Sequence, residues 1–431
     1  MTTQSPQNLK RNAKRLAQGY APAGSAVPLV AMLEIADRCN EVCVHCYQIQ
    51  GQKGEMTTEQ VFSVLDELAQ LGVLYLTISG GEPTLRKDFV DIVRYARQLK
   101  FAVKIYSNCL TMTDDLCAQL GELAVQEVQT SLYSHRSEVH DAVTNVPGSW
   151  AKTVQGIRHL VAHRVRVIAK SPMMVFNAPD YREYQGFVED LGALCGVDAS
   201  GLMPREDGSR EPEQYSMDED MYRIMRTDPE LGGKKSIAKR APSDLNSAPR
   251  GACRAGVHIE ANGELRPCTQ LGINLGNAVS DGVLNSWKTN PERQVMAKLT
   301  WADIHGCRDC DLRGYCHRCY AKSHAQGGDM LGPYRSACRR ALTEYSLAVG
   351  RSVTVLSSDP ARDHELGPFR ERQPGYLQAT DDAVTESDQD LANRYAWLRR
   401  TQGAIAEPVE QANLMQIRRP RVKKSLKPSG F

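Results

Sequence analysis

The chain lacks long apolar runs, has few aromatic residues and carries no strong excess of charge of either sign. No stretch of its 431 residues reaches the length of a membrane-spanning helix, and no apolar N-terminal segment resembles a signal peptide. A formal net charge of only +2 argues against nucleic-acid binding by overall charge. We therefore expect a cytoplasmic protein with neither a membrane nor a nucleic-acid partner. The hydrophobic share of 41% still suffices for a globular core.

Cysteine, in contrast, is plentiful, with 13 in the chain. Without a signal peptide we expect a reducing compartment, where cysteines bind metals more readily than they form disulfides. Three cysteines lie close together near the N-terminus, and seven more fall between residues 253 and 338. These two sets indicate two metal-binding regions.

The first set, Cys39, Cys43 and Cys46, has the spacing C-x3-C-x2-C and follows an apolar segment that predicts a β-strand. Three thiolates on one short loop can bind three irons of a [4Fe-4S] cluster and leave the fourth iron open. An open iron can bind a cofactor or a substrate, so the loop indicates chemistry as well as electron transfer. A zinc loop with His45 as the fourth ligand is the alternative.

A second motif, Gly80-Gly81-Glu82, ends the next predicted strand. Two glycines at a strand end allow the backbone to approach a ligand closely. The Glu82 carboxylate can accept a hydrogen bond from an ammonium group. Because this motif follows the cysteine loop by one helix length, the two are expected to form one site.

Both motifs resemble those of the radical S-adenosylmethionine (SAM) superfamily, in which an aromatic residue, here Tyr47, follows the last cysteine. The resemblance implies that SAM chelates the open iron and that Gly80, Gly81 and Glu82 contact SAM. It also implies that an electron from the cluster cleaves SAM to a 5′-deoxyadenosyl radical, which abstracts a substrate hydrogen atom. An external low-potential electron donor of the flavodoxin or ferredoxin type is expected as a partner.

Strand and helix patterns alternate from residue 29 onward, which predicts a parallel sheet with right-handed crossovers. The predicted strands are 29–36, 73–79, 102–107, 125–132, 165–173 and 197–203. The predicted helices are 58–71, 86–99, 114–120, 153–163 and 181–194. Six such units match the α/β fold of the superfamily, a partial (β/α)6 barrel of the TIM type. Both motifs then lie at the carboxyl ends of the strands, where parallel barrels place their active sites.

Polar residues at the other strand ends are further candidates for the SAM site, because family members use such residues to contact the ribose or the methionine carboxylate. The candidates are Ser107, Asn108, Ser131 and Lys170. Family members often continue Ser131 as Ser-Leu-Asp-Gly, whereas this chain reads Ser-Leu-Tyr-Ser. An ordinary hydrogen-bonded strand end is the alternative for each candidate.

The second cysteine set includes a hairpin signal at Asn262-Gly263. Its members are Cys253, Cys268, Cys307, Cys310, Cys316, Cys319 and Cys338. The pattern resembles the SPASM extension of radical SAM enzymes, a small cysteine-rich domain, although the last internal spacing is two residues here and three in the family. This resemblance implies two auxiliary iron–sulfur clusters. A zinc ribbon is the alternative, but seven cysteines divide poorly between two four-coordinate sites.

By the SPASM pattern, one auxiliary cluster is held by Cys307, Cys310, Cys316 and Cys338. The other takes Cys253, Cys268 and Cys319. Some relatives add a cysteine at the position of Ile259, so His258 or Glu260 could complete this cluster, or it could stay open or be smaller.

Three cysteines remain, with Cys117 on an outer helix, Cys109 just beyond the third strand and Cys195 before the sixth. Certain radical SAM epimerases use a thiol as hydrogen-atom donor, which makes Cys109 or Cys195 a candidate. A buried small hydrophobic residue is the alternative.

The chain is predicted to divide into an N-terminal arm (1–28), the barrel (29–205), a linker (206–250), the SPASM domain (251–345) and a polar, partly disordered tail (346–431). A helix after Ser387 and a basic run at 418–424 indicate a docking element or a solvated tail.

These patterns predict a radical SAM/SPASM oxidoreductase that modifies a ribosomally made peptide or a protein side chain by crosslinking, oxidation or epimerisation. The alternative is tetrapyrrole modification in a haem pathway, whose enzymes share the ending His45-Cys46-Tyr47. A zinc-stabilised interaction protein is the non-enzymatic alternative. With 28 residues before the barrel, too few for a winged-helix peptide-binding domain, we expect a separate peptide-binding protein or a substrate without a leader, such as a small molecule.

Overall fold

The computed structural model of the protein describes residues 28–229, 231, 240–249 and 256–349. Cys253, the predicted N-terminal arm, the predicted helix after Ser387 and the basic run lie outside the described residues. In the part that is described, no helix combines the length and apolar character needed to cross a membrane.

One eight-stranded sheet organises this part of the chain. Its strands are β1 (Val30–Ala36), β2 (Tyr75–Gly80), β3 (Ala102–Ser107), β4 (Glu127–Ser131), β5 (Val167–Pro172), β6 (Leu194–Asp198), β7 (Gly256–Ile259) and β8 (Leu265–Arg266). The order in space is β6-β5-β4-β3-β2-β1-β7-β8, and every pair is parallel except β7 with β8. The predicted six-stranded parallel sheet is confirmed, and β7 extends it at the edge of β1.

Helices lie between the strands along the chain, and further helices follow β8. They are α1 (Thr58–Gln70), α2 (Phe89–Gln98), α3 (Asp114–Glu122), α4 (Ser137–Thr144), α5 (Ser149–Ala162), α6 (Tyr181–Asp190), α7 (Glu219–Thr227), α8 (Val283–Thr289), α9 (Pro291–Lys298), α10 (Tyr320–Gly327) and α11 (Arg335–Val349). Helix α1 begins with a capping box, in which Thr57 and Gln60 exchange hydrogen bonds. Its sequence signature, Thr57 followed three residues later by Gln60, is a local pattern that predicts the start of a helix.

Two predictions of secondary structure were wrong. The helix expected over 181–194 ends at Asp190, because Gly192 adopts a positive φ of 76° and turns the chain toward the sheet. The sixth strand therefore spans Leu194–Asp198, and Cys195 lies within it instead of before it. Helix α4 (Ser137–Thr144) was not predicted.

Successive side chains along the strands alternate between an apolar face and a polar face of the sheet. Leu33, Ile78 and Ile105 lie side by side in register and are fully buried in the core. The neighbouring row, on the opposite face, contains Thr77 and Lys104. Because successive residues of a strand point to opposite faces, the sheet has one face for the core and one polar face.

Glu34 is a buried acid of the polar face and is only 4% exposed. Its carboxylate accepts a hydrogen bond of 2.7 Å from Nε2 of Gln48 in the cysteine loop. Burial, followed by the neighbouring Glu260 carboxylate, raises the pKa of Glu34 to about 8.

The carboxyl ends of β1 and β2 meet in close backbone contact. The amide of Gly81 donates to the carbonyl of Ala36 (2.8 Å), and the amide of Glu82 donates to the carbonyl of Arg38 (2.9 Å). A Cβ on Gly80 would lie 2.2 Å from the Ala36 oxygen, and a Cβ on Gly81 would lie 2.4 Å from the Arg38 oxygen. Only glycine therefore fits at both positions, and the cysteine loop begins directly against this turn.

We predict that Gly80→Ala and Gly81→Ala both destabilise the fold. Gly80→Ala should cost about 3 kcal/mol or more, because it adds backbone strain at a φ of +140° to the steric clash. Gly54→Ala is the matched control, since Gly54 also has a positive φ (82°) but no atom within 4 Å of the added Cβ. It should cost only about 1 kcal/mol. Urea unfolding followed by circular dichroism measures these differences, and equal losses for Gly80→Ala and Gly54→Ala would contradict the packing argument.

A second prediction concerns pH. Glu34 ionises near 4.5 when unfolded but near 8 when folded, so the folded state holds an extra proton between these values. The stability from this group is complete below about pH 4.5 and is lost as the pH rises through about 8. Glu34→Gln should therefore flatten the fall in melting temperature between pH 6 and pH 9. An unchanged pH profile in this variant would show that Glu34 does not hold the proton.

Candidate active site and metal centres

The cysteine loop is closed at its base by Asp37. The Asp37 carboxylate accepts hydrogen bonds from the amides of Lys53 (2.6 Å) and Gly54 (3.1 Å). Its carbonyl accepts a further hydrogen bond of 3.1 Å from the amide of Gly51. These bonds give the loop a fixed start and end at the carboxyl edge of β1.

Helix α4 holds the middle of the same loop. The amides of Val42 and Val44 donate to the carbonyls of Thr144 (3.0 Å) and Val143 (2.9 Å). Asn145, in a left-handed conformation at the helix end, donates from Nδ2 to the Val42 carbonyl (2.8 Å). Sequence reasoning missed this helix, although the apolar pair Val139 and Val143 at i, i+4 is the spacing that indicates one.

The three thiols of the loop are partly buried, and none forms a disulfide. Burial raises the pKa of Cys39 to about 12, raises that of Cys43 well above its ordinary value and also raises that of Cys46. Cys46 adds a smaller Coulombic contribution in the same direction at both other thiols, which shows that the three lie near one another. Metal binding must therefore displace protons from these thiols.

The three thiols of the loop are a donor set that suits an iron–sulfur cluster. The thiolates of a [4Fe-4S] cluster each bind a different iron and so need not converge on one point. A zinc ion would need a compact tetrahedral set of four ligands.

Two neighbours of Cys43 were missed by sequence reasoning. Its thiol donates to Oε2 of Glu41 (3.4 Å) and lies 3.7 Å from the hydroxyl of Tyr133. The Tyr133 ring also packs edge-on against His45, with ring centroids 4.8 Å apart. Tyr133 is one of the two positions at which the chain departs from the family sequence after Ser131, and this departure was the available signal.

Glu82 is fully buried, and its carboxylate joins the ends of β2 and β3. Its Oε1 accepts from the Thr84 hydroxyl (2.5 Å), the Thr84 amide (3.1 Å) and the Ser107 hydroxyl (2.9 Å). Its Oε2 accepts from the amide of Asn108 (2.7 Å). Burial still raises the pKa of Glu82, against the opposing effect of these hydrogen bonds. Because Oε2 accepts only this one hydrogen bond from the described residues, it retains a lone pair for a further donor.

Asn108 connects β3 directly to the cysteine loop. Its Nδ2 donates to Oδ1 of Asn40 (2.6 Å) and lies 3.9 Å from Sγ of Cys39. The predicted candidates Glu82, Ser107 and Asn108 are therefore brought together beside the loop.

The other predicted SAM contacts are more dispersed. Ser131 and Lys170 are paired in register on β4 and β5. The Lys170 side chain is exposed, with Nζ 3.5 Å from the hydroxyl of Tyr106. Tyr47 connects the loop to a later part of the chain, because its carbonyl accepts a hydrogen bond from the amide of Glu206 (2.9 Å). Their assignment to SAM stays a prediction.

An ionic network, also missed by sequence reasoning, joins the loop to the hairpin of β7 and β8. Nζ of Lys53 lies 2.7 Å from Oε2 of Glu206 and 3.1 Å from Oε1 of Glu260. Nε of Arg266 lies 2.9 Å from the same Glu260 oxygen. One oxygen of Glu260 thus already has two cationic partners, while burial lowers the pKa of the nearby His258 to about 3. Either residue stays a predicted ligand of the first auxiliary cluster.

The later cysteines form a second group. Cys338 raises the pKa of Cys307, Cys310 and Cys316 by a Coulombic effect that comes after the larger effect of burial. The amide of Cys310 donates to the carbonyl of Cys307 (3.1 Å). The four predicted ligands of one auxiliary cluster therefore lie near one another, and their binding of a cluster stays a prediction. Cys268 and Cys319 are partly buried against the main core.

The three remaining cysteines behave differently from these groups. Cys109 and Cys117 are fully buried in the apolar core. Cys195 is partly buried on β6 and packs against the same core. Their packing is that of small hydrophobic residues.

Comparisons with known proteins agree with this architecture. Residues 33–191 match the profile of the Radical SAM superfamily. Mycofactocin maturase MftC of Mycobacterium ulcerans is 36% identical over 141 residues, which cover 32% of this chain and 38% of that protein. The chain thus matches well under half of the length of this relative.

Two relatives align over most of their length. The AdoMet-dependent heme synthase of Methanosarcina barkeri is 24% identical over 336 residues, covering 70% of this chain and 94% of that protein. The PqqA peptide cyclase of Bradyrhizobium diazoefficiens is 30% identical over 316 residues, covering 68% of this chain and 82% of that protein.

Among solved structures, native anSMEcpe with bound AdoMet and Cp18Cys peptide superposes with a TM-score of 0.59. The sequences are 15% identical, and the superposition covers 75% of this chain and 97% of that chain. This similarity shows a shared fold. The parallel sheet, the profile match from β1 to β5 and the long alignment with a cyclase at 30% identity lead to one assignment: this chain belongs to the radical SAM superfamily.

Proposed function

We propose that the protein is a radical SAM oxidoreductase with auxiliary clusters that modifies a ribosomally made peptide or a protein side chain. The observation that carries this proposal is the junction of the cysteine loop with Gly81, Glu82 and Asn108, which joins a three-thiol donor set to a buried carboxylate. Membership of the superfamily supports the SAM and [4Fe-4S] assignments.

In this proposal Cys39, Cys43 and Cys46 hold the radical-generating cluster, and the neighbouring strand ends hold SAM. When bound, the two together supply a 5′-deoxyadenosyl radical for hydrogen-atom abstraction. Asn108 fixes the loop through Asn40, and Glu82 offers the remaining lone pair of Oε2 to the SAM ammonium group. The burial of Glu82 strengthens such an ionic hydrogen bond because water is excluded.

A peptide substrate is supported by the similarity to a PqqA peptide cyclase, which aligns over most of its length. The polar face of the sheet also offers donors and acceptors, among them the Lys170–Tyr106 pair. We propose that an external flavodoxin-type or ferredoxin-type protein supplies the electron and that a separate protein presents the peptide. In this proposal the auxiliary clusters accept the electron left on the substrate radical or help to anchor the substrate.

The second candidate is tetrapyrrole side-chain modification. It is favoured by the alignment with a heme synthase, which covers 94% of that relative. A short peptide reading frame beside the gene would favour the peptide substrate, and haem-pathway genes the tetrapyrrole.

We expect Cys43→Ala to abolish SAM cleavage. Anaerobically reconstituted protein, given SAM and dithionite, should form 5′-deoxyadenosine, and wild-type iron should amount to about three clusters per chain. Cys43→Ala should lose about one cluster and the product, because one iron of the loop cluster loses its ligand. Cys117→Ala is the control and should keep both, since Cys117 is buried in helix α3.

Failure of the fully iron-loaded wild-type protein to form 5′-deoxyadenosine would contradict the proposed mechanism. A colourless protein with stoichiometric zinc would instead support the zinc-stabilised interaction protein.

Glu82→Gln should weaken SAM binding by about tenfold or more while the iron content is kept, because a hydrogen bond to a charged group contributes about 1.5–3 kcal/mol. Thr84→Val is the control, since it removes the Thr84 hydroxyl from Glu82 but leaves the carboxylate charge. Anaerobic equilibrium dialysis with labelled SAM measures both. Equal affinities for wild type and Glu82→Gln would exclude the carboxylate as the SAM contact.

A further inference from the structure

A buried arginine without a counter-ion lies beside the second cysteine group. Arg318 stands between Cys316 and Cys319 in the chain and is 2% exposed. Within the described residues, no carboxylate forms an ion pair with its guanidinium. Removing a cation from water costs several kcal/mol unless an anion compensates for it. The position therefore calls for a negative partner.

The hydrogen bonds of Arg318 use only one of its three nitrogens. Nη2 donates to the carbonyls of Gly332 (2.7 Å) and Met330 and to the hydroxyl of Ser323 (2.9 Å). Among the described residues, Nε and Nη1 are buried without a nitrogen or oxygen partner, and the Cys307 side chain lies within interaction range of the guanidinium. The ring of Tyr320 lies 5.0 Å from the guanidinium carbon. These neutral contacts fix the orientation of the guanidinium but leave its charge uncompensated.

The thiols of the second cysteine group are the neighbours that can become anionic. Burial raises the pKa of Cys307 to about 12, and Arg318 acts in the opposite direction. The same opposition holds for Cys316, whose pKa burial raises well above its ordinary value. The positive charge of Arg318 is thus felt at two of the four thiols. Four thiolates around a [4Fe-4S] core of charge 2+ sum to a site charge of 2−.

We propose that Arg318 is the built-in counter-charge of an auxiliary cluster at Cys307, Cys310, Cys316 and Cys338, and that it raises the reduction potential of that cluster. This inference rests on the proposed function, which assigns a cluster to these cysteines. Reduction adds one electron and no proton, so the site charge changes from 2− to 3−. A fixed buried cation stabilises the more negative state more strongly, which favours electron acceptance at this site.

The test is a redox titration of the full-length, anaerobically reconstituted protein, monitored by electron paramagnetic resonance. Arg318→Gln should shift the midpoint potential of this cluster to a more negative value, because the charge is lost. Arg318→Lys keeps the charge and should stay near the wild-type potential. Arg339→Gln is the matched control: it removes the same charge next to Cys338, but from an exposed position where water screens it. It should shift the potential much less than Arg318→Gln.

A double variant, Cys307→Ala with Cys310→Ala, identifies the signal, since the two remaining thiols should not hold a [4Fe-4S] cluster and the resonance of this cluster alone should disappear. If the double variant loses no signal, the cysteines hold no cluster, and both this inference and the auxiliary-cluster part of the proposed function are overturned. If the signal is present but Arg318→Gln keeps the wild-type potential, only the inference is overturned. An equal shift in Arg318→Lys would also overturn it, because geometry and not charge would be the cause.

Should Arg318→Gln fail to retain iron, two charge-retaining variants decide the question. Ser323→Ala removes one acceptor of Nη2 but keeps the guanidinium, and Arg318→Lys keeps a cation. Both should keep the wild-type potential, and a negative shift in either overturns the inference.

Discussion

The turn at Gly80-Gly81 lies so close to the cysteine loop that no side chain fits between the two backbones. A Cβ at either glycine would come within 2.4 Å of a carbonyl oxygen of residues 36 or 38. This contact sets the distance between the carboxyl ends of β1 and β2. Since Glu82 follows directly, the same contact places its carboxylate beside the loop and within reach of Asn108. The proposed cofactor site depends on this approach of two backbones.

Charge organises the regions around this junction. Lys53 of the cysteine loop joins Glu206 and Glu260, so the loop is held by the segment after the barrel as well as by the barrel itself. Arg318 is the opposite case, a buried cation with neutral partners, beside four cysteines. In both places a second part of the chain or a bound group is needed to compensate for the buried charge, because burying an isolated charge costs free energy.

Much of this architecture could be predicted from the sequence, since it rests on local patterns. The alternation of strands and helices, the capping box at Thr57 and the Asn262-Gly263 hairpin all depend on neighbouring residues. The secondary-structure predictions were wrong where residues distant in sequence determine the local structure. Gly192 ends a helix earlier than its apolar pattern suggested, and helix α4 matters because it binds a loop about 100 residues before it.

The candidate site shows the same division. The cysteines were visible as spacing, and Gly80, Gly81 and Glu82 were visible as a motif. The reason why both positions are glycine was not visible in the sequence. The motif indicated close approach of the backbone to a ligand, whereas the structure shows close approach to the backbone of the cysteine loop. The contacts of Tyr133 and the Lys53 network join residues far apart in sequence, so no local pattern encodes them.

The central claim is that the cluster held by Cys39, Cys43 and Cys46 binds SAM at an open iron. Electron–nuclear double resonance on the reduced protein, with SAM labelled with 15N at its amino group, tests this most directly. If SAM binds the open iron, the label and the cluster should show a hyperfine coupling, which disappears in Cys43→Ala. A reduced cluster at these cysteines that shows no coupling to bound, labelled SAM would contradict it.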